Sequence, residues 1–125
     1  MSLTPHGPGF SFLDSIAIDD GRAHGTKWLD PASPYFADHF PGNPIMPGVL
    51  LIECGAQAAG ALWQKPQAFL AGVQFKFLKP VRPGQTVEIA VSLEKDFGAL
   101  AQFDVILSVA GETVAQGKLT MSRNA

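Results

Sequence analysis

A chain of 125 residues fits one domain, residues 1–125, and its 46% hydrophobic and 16% charged content gives it a core and excludes a disordered polymer. Nine Lys and Arg against eleven Asp and Glu leave a net charge of −2, without the basic stripe expected of a nucleic-acid binder. Cys54 is the only cysteine, so no internal disulfide forms, and the first residues lack a basic, apolar leader; both features suit a cytoplasmic protein.

In chain order, residues 10–18 carry strand formers and end at the turn signal Asp19-Asp20-Gly21, after which residues 22–29 return as the second strand of a hairpin. Residues 30–47 hold five prolines and Gly42, which predicts an irregular loop; Tyr35, Phe36 and Phe40 indicate that it packs. Pro47 suits the first position of a helix that should run to about residue 64 and stop before Pro66. That helix is apolar or small almost throughout, which predicts burial on every side. Glu53 and Gln57 interrupt the apolar stretch, which is also too short for a comfortable membrane span. Four period-two runs follow, over about residues 69–78, 87–94, 102–109 and 112–121, separated by Gly-containing turns. They read as an antiparallel meander with one face covered. The fold class is therefore α+β, one long helix wrapped by an antiparallel sheet of five or six strands.

Glu53 is the first residue that asks for a chemical explanation. A carboxylate on a buried helix is costly, and burial favours its neutral, proton-donating form. Gln57, four residues on, shares its helical face and can hydrogen-bond it, so a purely structural buried glutamate is the plain alternative. His39 stands fourteen residues before Glu53, in a loop constrained by Pro41 and Gly42. Histidine is the usual general base near neutral pH. With a helix N-terminus following it, the set offers a base, an acid and a carbonyl-polarising dipole. Spacing alone leads to acid/base chemistry and names no substrate.

The segment His39-Phe40-Pro41-Gly42-Asn43-Pro44-Ile45-Met46-Pro47-Gly48-Val49-Leu50, continuing through Ile52-Glu53 and Ala56-Gln57-Ala58-Ala59-Gly60, resembles the active-site segment of the FabZ-type (3R)-hydroxyacyl-[acyl-carrier-protein] dehydratases. Weaker echoes lie at Phe12-Leu13-Asp14 and from Phe77 through Lys79-Pro80-Val81 to Pro83-Gly84. FabA-type dehydratase–isomerases are similar but carry Asp where this chain has Glu53.

The resemblance implies a hotdog fold and a homodimer whose shared active sites join His39 of one subunit to Glu53 of the other, and it allows a trimer of dimers. It implies that His39 removes the C2 proton of an acyl thioester carried on acyl carrier protein and that Glu53 protonates the departing hydroxyl. Gly48 would bind the thioester carbonyl through its N–H, with Gln57, Phe40 and Pro47 in support. It implies no metal and no cofactor. Cys54 and Gly55 stand where the family has Ala-Met, near the acyl tunnel and dimer surfaces, so they bear on chain length and assembly. A hotdog acyl thioesterase and a non-catalytic acyl-binding hotdog module are the competing functions. A specialised acyl pathway is the competing setting for the same chemistry. His6 and His24 read as loop or surface residues, with the site mouth as the alternative for His6; Cys54 reads as an inert core thiol, and Lys76, Lys79 and Arg82 as a solvated edge, with a patch for an acidic carrier protein as the alternative.

Overall fold

The computed structural model describes residues 12–33, 45–64 and 68–123. Strands β1 (Ser15–Asp19) and β2 (Arg22–Trp28) form the expected hairpin. Asp20 and Gly21 both take positive φ, 43° and 76°, the two-residue turn whose twist matches that of the flanking strands. The first strand begins later than the run of strand formers. Helix α1 (Gly48–Trp63) is followed by β3 (Phe69–Phe77), β4 (Thr86–Asp96), β5 (Leu100–Val109) and β6 (Glu112–Ser122).

All pairings are antiparallel, in one six-stranded sheet of order β1-β2-β4-β5-β6-β3. Only β4-β5-β6 is a meander. The helix connects β2 to β3 across one face of the sheet and delivers the chain to the far edge, so β2 meets β4 while β3 meets β6. Period-two patterning assigns faces, not neighbours, and could not reveal this crossover.

The covered face carries Ala23, Val87, Ile89, Val91, Phe103, Val105, Leu107, Ala115 and Leu119, all buried. Helix α1 lies on them through Leu51, Cys54, Gly55, Ala58 and Ala59. A Cβ on Gly55 would stand 3.0 Å from Val105 Cγ1, so the small residue sets how closely helix and sheet approach. At its C-terminal end Trp63 meets Phe103 edge to face, with centroids 6.2 Å apart, and donates to Asp96 Oδ2 at 3.2 Å.

Two expectations are corrected. Pro47 is the cap before the first helical residue (φ −59°, ψ 137°), and its carbonyl accepts from Leu50 and Leu51. The helix is also not buried throughout: in its first two turns Val49 is 72% exposed, and Leu50, Ile52 and Glu53 are half-buried, whereas residues 54–61 are buried on every side. Along β3, Phe69 is 48% and Phe77 51% exposed, while Phe75 packs against the core.

Candidate active site

Glu53 stands in the second turn of α1 and is half-buried. Gln57, one turn on, is 2% exposed. Its Nε2 donates to Glu53 Oε2 at 2.8 Å, the (i, i+4) contact read from the sequence. Its Oε1 accepts from the Phe12 backbone N–H at 2.7 Å. A backbone N–H can only donate, so it fixes the amide: oxygen toward Phe12, nitrogen toward Glu53. Sequence reasoning missed Phe12 as a site residue, because it acts through its backbone. The Phe12-Leu13-Asp14 echo was the available signal.

Gly48 opens the helix, and its N–H is among those that an α-helix leaves without an internal acceptor, at the positive end of the dipole. The preceding turn is anchored by Met46 N–H donating to Val81 O at 2.6 Å. The Phe77 ring lies against Gly48, where a Cβ would come within 2.9 Å of Cζ. Ile45, Gly48, Leu51, Phe77 and Val81 line an open depression of about 450 Å³ at this end of the helix. A depression of about 530 Å³ lies among Gln74, Lys76, Asp104, Gln116 and Lys118 and contains none of the site residues named here.

His39, Phe40 and His6 lie outside the described residues. His24 is exposed, opposite Ala17 and Ala90 in the register, on the side away from the helix. Cys54 neighbours Glu53 in sequence but points into the core at 0% exposure, and burial pushes its thiol up to about 12. Such a thiol is a packing group and not a nucleophile. Lys79 pairs with Glu112 at the exposed edge. Among the described residues no three of His, Cys, Asp and Glu converge as a metal site, and no helix is long and apolar enough to cross a membrane.

Comparison with known proteins bears on what this site serves. A model of the ApeI-like family, described as ApeI dehydratase, matches residues 15–118. The 3-hydroxyacyl-[acyl-carrier-protein] dehydratase FabZ of Herpetosiphon aurantiacus is 37% identical over 95% of this chain and 91% of its own length. FabZ of Rhizobium rhizogenes is 40% identical, over 95% of this chain and 82% of its own. Among solved structures, the dehydratase heterocomplex ApeI:P from Xenorhabdus doucetiae superposes with a TM-score of 0.81 at 19% identity, covering 98% of this chain and 89% of that one. That likeness extends to the fold.

Proposed function

The chain belongs to the ApeI-like, FabZ-type family of hotdog dehydratases, and from that membership we propose an acid/base elimination run by Glu53 and His39. The protein is a 3-hydroxyacyl thioester dehydratase of fatty-acid synthesis. In the reaction His39 takes the C2 proton and the C2–H electrons form the C2=C3 double bond. The C3–O bond breaks, and Glu53 gives its proton to the departing hydroxyl. The products are a trans-2-enoyl thioester and water. The Gly48 N–H binds the thioester carbonyl, where negative charge develops as C2 loses its proton. Phe40 and Pro47 support these groups.

The observation that carries the assignment of Glu53 is its contact with Gln57. A 2%-exposed amide, fixed by a backbone donor, holds one carboxyl oxygen and leaves the other for substrate. The acyl group is carried on acyl carrier protein, as the names of the relatives have it, and the enzyme acts in the cytoplasm. Two copies associate with their active sites between them. This is supported by the outer edge of β3, which has no strand partner among the described residues and bears exposed Phe69, Val73 and Phe77, and by exposed Val49 in the first turn of the helix.

The test is turnover of 3-hydroxyacyl groups on acyl carrier protein and on coenzyme A by wild type, His39→Ala and Glu53→Gln. Each variant should lose about 10²–10⁴-fold in kcat. Mixing the two variants under subunit exchange should restore activity, since a mixed dimer contains one site with both groups intact. Full activity in either variant refutes the mechanism, and release of free acid and thiol would mark a thioesterase instead.

A further inference from the structure

Lys27 stands where a charge is least expected. Along β2 the residues facing the helix are Ala23, Gly25 and Lys27, opposite Val91, Ile89 and Val87 in the register, and the first two are buried. The Lys27 side chain is only 19% exposed. Its Nζ lies 4.6 Å from the centroid of the Phe12 ring and 3.6 Å from Asp14 Oδ1. Asp14 Oδ2 accepts the Trp28 N–H, and the Asp14 N–H reaches Thr26 O at 2.8 Å. Lys27 and Asp14 thus tie residues 12–14 to the end of β2. The same segment supplies the N–H that fixes Gln57, and Gln57 holds Glu53.

We propose that Lys27 is a positioning residue for the reaction, clamping Phe12 so that its N–H sets the Gln57 amide and, through it, the Glu53 carboxyl. The inference rests on the assignment of Glu53 as the acid. The ammonium sits on the face of the aromatic ring, an attraction that strengthens when water is partly excluded, as it is at a 19%-exposed side chain. Asp14 is more open, and its ion pair with Lys27 serves mainly to keep the ammonium over the ring. Releasing the clamp leaves Glu53 chemically intact. It frees the Phe12 segment, so Gln57 samples the flipped amide, which turns its oxygen toward the carboxylate.

The experiment compares Lys27→Met, Lys27→Arg and Phe12→Leu with wild type in thermal unfolding and steady-state turnover, alone and in a Gln57→Leu background. Lys27→Met keeps the methylene packing and should lower kcat about three- to tenfold, with KM changed less than twofold. Lys27→Arg keeps a cation that stacks on the ring and should recover at least half of the loss. In the Gln57→Leu background Lys27→Met should add nothing, because both act on one path. Wild-type kcat in Lys27→Met, or a full multiplicative loss on top of Gln57→Leu, overturns the proposal. If Lys27→Met does not fold, Phe12→Leu decides it: the same fall in kcat supports the clamp and an unchanged kcat overturns it. Glu53→Gln is measured alongside, and wild-type turnover in that variant refutes the assignment of the acid, a failure distinct from that of the clamp.

Discussion

Replacing Gln57 by Leu removes both ends of the bridge between Phe12 and Glu53 at nearly constant volume. The Phe12 N–H loses its acceptor in a part-buried place, which costs about 1–3 kcal/mol when nothing replaces it. Glu53 is half-buried, so water takes over the lost donor and that end costs little. The leucine side chain, in a site where the native residue is 2% exposed, returns about 1 kcal/mol through apolar burial. The net loss is therefore about 0–2 kcal/mol. Unfolding entropy of about 2.1 cal/mol/K per residue gives about 0.26 kcal/mol/K for this chain, so Tm should fall by no more than about 8 °C. The protein stays folded at assay temperature. Turnover should fall much further, about 10–100-fold in kcat, because a general acid without a fixed orientation forfeits a large part of its contribution. Circular dichroism melting and steady-state dehydration at 25 °C separate the two effects. A fall in Tm with kcat within twofold of wild type would make Gln57 a structural residue only. A Tm lowered by much more than about 8 °C would refute the costs assigned to the two hydrogen bonds.

Three further outcomes are expected. The Cys54 thiol, pushed from its ordinary 9.0 to about 12, favours the folded state while protonated. That contribution is complete below pH 9 and is lost as pH rises toward 12, so the stability of wild type relative to Cys54→Ala should decline by up to about 1.4 kcal/mol per pH unit from pH 9 upward, and an unchanged difference would refute the buried state of the thiol. Gly117→Ala would place a Cβ 2.0 Å from the Gln74 carbonyl oxygen and 2.7 Å from Phe75 Cα, so hydrogen exchange should show β3 released while β4 and β5 keep their protection. Val73→Lys at the 47%-exposed edge of β3 should shift the protein toward monomer in light scattering and lower activity, with the isolated fold retained; an unchanged mass would exclude that edge as the contact.

The fold was legible wherever one residue reports one local fact. Asp20-Gly21 announces a hairpin because few sequences accept two positive φ values in succession, and the alternation along residues 102–109 reads directly as the buried Phe103, Val105 and Leu107. The place of β3 was not legible, since Phe69, Phe75 and Phe77 look alike whether a strand is central or at an edge. Nor was the exposure at the start of the helix: Val49 and Leu51 are equally apolar, yet one is 72% exposed and the other 3%. Hydrophobicity specifies that a surface must be covered, not whether its own chain or another molecule covers it.

The site divides along the same line. Glu53 and Gln57 were legible as a pair because helical spacing converts four residues of sequence into one contact. Phe12 and Lys27 were not, because Phe12 meets Gln57 across a separation of 45 positions and Lys27 reaches Phe12 only once the sheet has been folded into place. That difference has a physical consequence for how the site is built. A pair on one helix brings its acid and its partner together as soon as the helix forms, but leaves the amide free to flip. The donor that forbids the flip comes from the segment before β1, held by a lysine on β2. The orientation of Glu53 is therefore a property of the assembled sheet and helix, whereas its identity is a property of the helix alone.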